Sequence, residues 1–319
     1  MKLVIQIPCL NEEKSLPITI EALPKSIDGI DEIEILVIDD GSTDNTVEVA
    51  RQYGVKDVIS FPKNKGLAKA FVAGLNRALE MGADIIVNTD ADNQYSADDI
   101  EKLVKPIIDK QADIVIGARP VADIQSFSPL KKILQKLGSC VMRIISSTEV
   151  KDAPSGFRAF SRNAALQLNV FDSYTYTLET IIQSGAKSLS IMNVDVEVNP
   201  ELRKSRLFKN MFVYISRSIF TMLRMFIVYR PFRFFIICAL ISLALGLILS
   251  GRFLYFYVTG NGRGHIQSLI LSSIFILTGV QTALIAVLAE LVSINRKLIE
   301  DVQRRVKTFG LKNFSDDLK

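Results

Sequence analysis

The sequence predicts an α/β fold with a mostly parallel sheet, followed by amphipathic interfacial helices and two transmembrane helices. Three observations carry that reading. Short apolar runs alternate with helix-length segments through the first 120 residues. Two of those runs end in acidic clusters, Asp39-Asp40 and Asp90-Ala91-Asp92. Two uncharged stretches, Phe234–Gly251 with 18 residues and Ser268–Ala289 with 22, lie near the C-terminus. Strands alternating with helices of about 10–15 residues give a parallel sheet covered on both faces.

Taken in order, residues 2–7 read as a buried strand that runs into Pro8-Cys9-Leu10-Asn11-Glu12, with a helix from about Glu13 to Lys25. A second strand at 33–39 meets Asp39-Asp40-Gly41-Ser42, where Ser or Asp can cap a helix reaching Tyr53. Val55–Phe61 is the third strand, and Lys65-Gly66 opens a helix with Leu67, Ala70, Phe71, Gly74, Leu75 and Ala78 on its apolar side. Strand 84–89, helix 97–109 and strand 112–117 complete the alternation. Beyond Arg119 come a loop at 120–128, a helix at 129–146, short helices near 161–168 and 174–184, and an alternating strand through Val194, Val196 and Val198.

Charge divides the chain. Residues 1–200 hold 21 Lys and Arg against 28 Asp and Glu, a net of −7, whereas residues 201–319 hold 17 against 6, a net of +11. An acidic front excludes a nucleic-acid surface, and a basic half that also carries the long apolar runs favours anionic membrane lipids. Three widely spaced cysteines exclude a disulfide scaffold and fit a reducing compartment. With His265 the sole histidine, no histidine triad or zinc cluster can be assembled. Lys2 leads straight into the first strand, which reads as fold rather than export signal.

Between Arg203 and Arg233 stand eight basic residues and no acidic one. Leu207, Met211, Ile215, Ile219, Met222 and Phe226 recur at helical spacing, with Lys209, Arg217 and Arg224 on another face, the pattern of a helix at a headgroup interface. Each uncharged stretch is long enough for a hydrocarbon core of about 30 Å. Gln281 within the second and Glu290 at its end read as helix-to-helix bonding or a subunit contact rather than a transport path, and a homo-oligomer through the membrane helices is compatible with the second of these. Arg224, Arg230 and Arg233 precede the first span, and Arg296, Lys297, Arg304, Arg305 and Lys307 follow the second. Both termini are therefore expected in the cytoplasm.

Asp90 and Asp92, two residues apart after Ile85-Ile86-Val87, present hard oxygen ligands at the carboxyl edge of a sheet. The pair reads either as a divalent-metal site for a diphosphate or as an Asx turn.

The motifs PCLNEE (8–13), DDGSTDNT (39–46), NKGLAKA (64–70), DADNQ (90–94), GAR (117–119) and SGFR (155–158) resemble, in order and spacing, those of family 2 glycosyltransferases of the polyprenyl-phosphate type. The resemblance implies a GT-A-type nucleotide-sugar-binding domain over residues 1–200, juxtamembrane helices at 201–231, a transmembrane hairpin at 232–292 and a cytoplasmic tail at 293–319. It implies inverting transfer of a sugar from a UDP- or GDP-linked donor to polyprenyl phosphate at the cytoplasmic face. By the same resemblance Pro8, Asn11 and Glu12 contact the nucleotide, Asp39 and Asp40 lie at its base or ribose, and Lys65 neighbours phosphate or base. Asp90 and Asp92 hold Mg²⁺ or Mn²⁺ on either side of Ala91, Asp92 more directly, and Gln94 aids placement of metal or acceptor. Arg119 and Arg158 are phosphate-binding candidates, Arg158 also a partner for Asp152 or Asp92. Asp152 stands where the family has a base or acceptor organiser; a capping or salt-bridged aspartate is the alternative. The family's Gly-x-Ser-Lys signature is replaced by Leu202-Arg203-Lys204-Ser205-Arg206, in which Arg203, Ser205 and Arg206 are candidates for the acceptor phosphate. An acceptor phosphate with a second pKa near 6 is already ionised at neutral pH and hardly requires a strong base. Transfer to another lipid such as diacylglycerol, or a nucleotide-sugar-binding scaffold without chemistry, are the alternatives. The absence of tryptophan disfavours a processive polysaccharide synthase.

Overall fold

A computed structural model of the chain describes residues 1–120, 138–143, 146–170, 176–200, 211–260 and 265–316. The described chain divides into two compact units, Met1–Met222 with Gln303–Lys319, and Leu223–Val302.

The first unit is built on seven strands: β1 (Lys2–Cys9), β2 (Glu32–Asp39), β3 (Asp57–Ser60), β4 (Ile85–Asn88), β5 (Ile114–Ala118), β6 (Arg158–Ser161) and β7 (Ile191–Asp195). They form one sheet in the order β3-β2-β1-β4-β6-β5-β7. All neighbours pair in parallel except β6, which is antiparallel to β4 and β5. Its helices are α1 (Leu16–Ala22), α2 (Thr46–Gln52), α3 (Leu67–Glu80), α4 (Asp99–Ile108), α5 (Arg162–Gln167) and α6 (Thr177–Ala186).

Continuous apolar strands bury both faces, as a parallel sheet requires. Leu3, Ile5, Ile7, Val37 and Val87 share one core with Leu16 and Ile20 of α1 and Ile100 and Leu103 of α4. On α3, Phe71 stacks on Tyr176 with ring centroids 3.8 Å apart. A Cβ on Gly74 would lie 2.6 Å from Gln6 Oε1 and 2.7 Å from Ile38 Cδ1, so α3 rides this close to the sheet because residue 74 has no side chain. Pro8 pairs with Ile38 of β2, while the β1–β4 register ends at Gln6 and Asn88. Its missing N–H therefore falls where β4 no longer pairs.

Two consequences of this order position the site. The strand order reverses at β1, with β2 and β3 to one side and β4 to the other, and such a switch point opens a crevice at the carboxyl ends. Because β6 runs backward, the segment entering it, Asp152 to Phe157, arrives at that same edge.

Several expectations change. The predicted helix Glu13–Lys25 is confined to Leu16–Ala22. Leu23 turns extended, φ −63 and ψ 143, because Pro24 follows it. β6 has no counterpart among the predicted strands: four residues without alternation carry no strand signal. The strand expected through Val194, Val196 and Val198 begins earlier, at Ile191, and ends at Asp195, leaving Val198 as a single bridge to Tyr95. The expected helix at 129–146 is helical where described, at 138–143 and 146. Residues 121–128 of the loop expected at 120–128, and the basic stretch 201–210 with Arg203, Ser205 and Arg206, lie outside the described residues.

Beyond these, α7 (Met211–Tyr229) occupies the segment expected at the headgroup interface, and α8 (Pro231–Val258) and α9 (Ile266–Asp316) follow. α8 and α9 are both long and apolar enough to cross a membrane. α9 runs unbroken to Asp316, so the segment 293–316 expected as the tail continues the second helix. Small residues bring the two helices together. A Cβ on Gly246 would sit 2.7 Å from Ile276 Cγ1, and one on Gly279 would sit 2.7 Å from Leu243 Cγ. Ser272 Oγ donates to the Gly246 carbonyl at 2.8 Å and Ser242 Oγ to the Phe275 carbonyl at 2.8 Å. Close backbone approach and hydroxyl bonding are what hold helices where burial from water contributes nothing.

Candidate active site

The loop after β1 and the loop after β2 are stitched together by their own polar groups. Asn11, at φ 56, donates its backbone N–H to Ser42 Oγ at 2.8 Å and accepts the Thr43 amide at its Oδ1 at 2.8 Å. The Glu12 amide bonds Thr46 Oγ1 at 2.9 Å, and Glu12 Oε2 accepts Ser15 Oγ at 2.5 Å. Asp39 and Asp40 are buried. Asp39 accepts the Ser42 amide at 2.8 Å and Ser60 Oγ at 2.6 Å, one on each oxygen. Asp40 accepts the Lys65 and Gly66 amides at 2.7 and 2.9 Å, also one on each oxygen. Gly41 permits this: at φ 78 its Cβ would lie 2.5 Å from the Lys63 carbonyl carbon. The Lys65 ammonium lies 4.3 Å from the centroid of the Phe61 ring.

Across the switch point, the loop after β4 carries Asp90 and Asp92, both half-exposed. Asp92 Oδ1 accepts the Gln94 amide at 3.2 Å around Asn93, which sits at φ 53. The loop is held from outside. The Ala91 carbonyl accepts Thr19 Oγ1 at 3.1 Å, the Asn199 amide bonds the Gln94 carbonyl at 2.9 Å, and Asn199 Nδ2 bonds the Asn93 carbonyl at 3.0 Å. Asp90 faces Gly156, where an added Cβ would come within 3.4 Å of its carboxylate.

The segment entering β6 closes the edge. Asp152 takes Arg119 in a two-pronged ion pair, Nε to Oδ2 at 2.7 Å and Nη2 to Oδ1 at 3.1 Å, with both side chains largely buried. Burial alone would lower the Arg119 pKa; neighbouring Tyr95, Asp152 and Asp90 outweigh it and hold the guanidinium above its ordinary value. Arg158 differs from expectation. Its side chain is fully buried and is satisfied from within, donating to the carbonyls of Ser155 (2.8 Å), Thr177 (2.9 Å) and Ala153 (2.7 Å) and to Thr180 Oγ1 (2.7 Å). Burial pushes its pKa down to about 10. The residue that grips Asp152 is Arg119, and Arg158 is a brace shaping the Asp152–Gly156 turn rather than a phosphate ligand.

Beneath the carboxylates lies a polar layer that sequence reasoning did not find. Gln6 Nε2 donates to Asn88 Oδ1 at 2.8 Å, and Asn88 Nδ2 reaches the Gly156 carbonyl and the Tyr176 hydroxyl at 2.9 Å each. Gln6 interrupts one apolar strand and Asn88 ends another, the one signal that could have marked them. Burial holds the Tyr176 and Tyr95 hydroxyls above the usual phenol range, as it does the Cys9 thiol, so all three stay protonated at neutral pH.

Among the described residues no three His, Cys, Asp or Glu side chains gather as a metal site. Two carboxylates suit an ion that takes one or two protein oxygens and completes its shell from phosphates and water, the habit of Mg²⁺. Asp90 and Asp92 fit that part.

A sheet of this order, with carboxylates at its switch point, defines a GT-A-like α/β domain. Glucosyl-3-phosphoglycerate synthase of Mycobacterium tuberculosis, solved with Mn²⁺, UDP-glucose and phosphoglyceric acid, shares the fold with a TM-score of 0.56 at 21% identity, over 70% of this chain and 79% of that one. Residues 4–168 match the model of glycosyl transferase family 2, and the chain belongs to that family. Among curated proteins it is 33% identical to UDP-N-acetylglucosamine–dolichyl-phosphate N-acetylglucosaminyltransferase of Methanococcus voltae, over 60% of this chain and 83% of that one. It is 28% identical to undecaprenyl-phosphate mannosyltransferase of Micrococcus luteus, over 65% and 88%.

Proposed function

We propose that this chain transfers a sugar, with inversion, from a UDP- or GDP-linked donor to polyprenyl phosphate at the cytoplasmic face of a membrane. The observation that carries the reading is the meeting of Asp90 with Gly156, beside the Arg119–Asp152 pair, at the switch point of the sheet. The names of the two relatives and the apolar hairpin in the same chain support a lipid-phosphate acceptor.

Asp90 and Asp92 would hold Mg²⁺ or Mn²⁺, which when bound offsets charge on the departing diphosphate. Asn11 and the Asp39 and Asp40 loops shape the nucleotide side of the crevice. Arg119, kept cationic and aimed by Asp152, offers its guanidinium to phosphate oxygens. Asp152 is then a positioning residue: both its oxygens accept from Arg119, while the acceptor phosphate, with a second pKa near 6, brings its own ionised nucleophile. Gly156 leaves open the space next to Asp90 that any side chain would fill. Arg203, Ser205 and Arg206 stay assigned to the acceptor phosphate on sequence grounds.

Full-length protein is incubated with polyprenyl phosphate, a panel of UDP- and GDP-sugars and Mg²⁺ or Mn²⁺. The expected product is one glycosylated polyprenyl phosphate by mass, with the opposite anomeric configuration to the donor. In the same assay Asp152→Asn should fall about 100-fold while keeping the shape of its pH–rate profile. Donor hydrolysis without any glycolipid sinks the reading, and a limb of the pH profile lost in Asp152→Asn restores Asp152 as the base.

A further inference from the structure

α9 has two faces with different fates. Ser272, Gly279, Ala286, Ser293 and Glu300 recur at strict seven-residue intervals, and all five are buried against their own chain. A second seven-residue series occupies the other side of the helix. Ile285, Val292, Ile299 and Val306 are all exposed, between 46% and 68%, and Leu288, Val302 and Phe309 fill the alternate positions at 58–68% exposure. Gln281 and Asn295 complete that alternate series. Apolar residues at alternating steps of three and four, β-branched in one series, form the seam of a parallel coiled coil.

Lipid covers only part of this seam. The uncharged run ends at Ala289, and Arg296, Lys297, Asp301, Arg304 and Arg305 stand beyond it on the same unbroken helix. Ile299 lies ten residues past Ala289, roughly 15 Å along the axis, outside a hydrocarbon core. A helix continuous with a span cannot lie flat to bury that stripe in headgroups. Gln281 makes the complementary point inside the run. It is exposed and its side chain bonds no described residue, so its amide faces hydrocarbon in a lone chain.

We infer that the Gln281–Phe309 face of α9 is the interface with a second copy of this chain, packed parallel and in register. It rests on the reading of α8 and α9 as membrane spans. Copies inserted with one topology present α9 side by side in the same direction, as the seam requires. In that register Leu298 faces Gln303 of the other copy and Arg305 faces its Gly310, so no like charges oppose each other along the flanks. Arg296 is turned away, lying 3.8 Å over the Tyr229 ring and paired with Glu300 at 2.9 Å. Gln281 and Asn295 each meet their own counterpart, which satisfies both amides and fixes the register.

The test is oxidative cross-linking of the full chain in native membranes, in a Cys140→Ala, Cys238→Ala background that leaves buried Cys9 in place. Val302→Cys, on the seam, should give a covalent dimer in at least about tenfold higher yield than Lys297→Cys on the opposite side. Adding Gln281→Leu with Asn295→Lys should abolish that dimer. Carbonate-resistant sedimentation reports separately whether the helices are inserted, so failure of the membrane reading is told apart from failure of the interface. In inserted protein, equal yields at 297 and 302 overturn the inference. So does no dimer at 302, whether that thiol is then covered by lipid or by a different protein.

Discussion

Two parallel strands, β2 and β4, run into acidic residues at the same edge of one sheet, and the surroundings of the two pairs differ. Asp39 and Asp40 are 2% and 4% exposed, and all four of their oxygens accept hydrogen bonds from Ser42, Ser60, Lys65 and Gly66. Asp90 and Asp92 are half-exposed, and Asp90 lies beside Gly156. Local sequence is alike; what differs is the chain that arrives next to it. The β3–α3 connection folds over Asp40 and brings two N–H groups to it, whereas the backward entry into β6 brings Gly156, with no side chain, to Asp90. One acidic pair organises the protein's own loops, and the other is the pair to which the proposed function assigns the metal ion.

The sharpest way to break this contrast is to exchange the pairs' fates by mutation. Asp92→Ala should lower transfer about 10³-fold with the melting temperature unchanged. Retained activity in Asp92→Ala, or activity indifferent to chelator, would show that this pair is also structural. Asp40→Asn should do the reverse. An amide there sets an NH₂ against one of two backbone donors in a buried site, which costs about 2–3 kcal/mol of stability. Thermal unfolding in detergent should drop by several degrees, while donor affinity of the folded fraction, read by titration, holds. A variant that melts normally but no longer binds donor would place Asp40 on the nucleotide instead.

How much of this was legible varies with the distance over which each feature is encoded. β1, β2, β4 and β5 could be read from their short apolar runs, and the Asp90-Asp92 loop from its place directly after β4, because a parallel strand writes its burial into nearly consecutive residues. The pairing of Arg119 with Asp152 spans 33 positions and depends on β6 turning backward, which four residues do not announce. Arg158 failed for the same reason. A positive residue in a Gly-containing motif reads as surface, yet the reversed strand carries it under the turn, where backbone carbonyls replace water. Gln6 was visible as a polar interruption of one apolar strand and Asn88 as the polar end of another, but the contact of Asn88 with Tyr176 needs α6 folded onto the sheet.

The smallest effect separates the loops by pH. Asp44, in the loop after β2, accepts the Thr46 amide at 3.1 Å, the Thr46 hydroxyl, and the Glu13 amide at 3.2 Å. Partial burial would raise its pKa, but those hydrogen bonds outweigh it and hold the carboxyl below its ordinary 3.8. A carboxyl whose pKa is lower folded than unfolded binds its proton first in the unfolded chain. Its stabilisation is therefore complete above 3.8 and is lost as pH falls from there through the depressed folded value. Asp44→Asn lacks that contribution at every pH, so the variant should be slightly less stable than the parent at neutral pH, lose stability less steeply below pH 3.8, and converge on the parent there. Melting curves at stepped acidic pH decide it: parallel slopes for the two proteins would mean that the Glu13–Thr46 stitch contributes nothing that depends on the charge of Asp44.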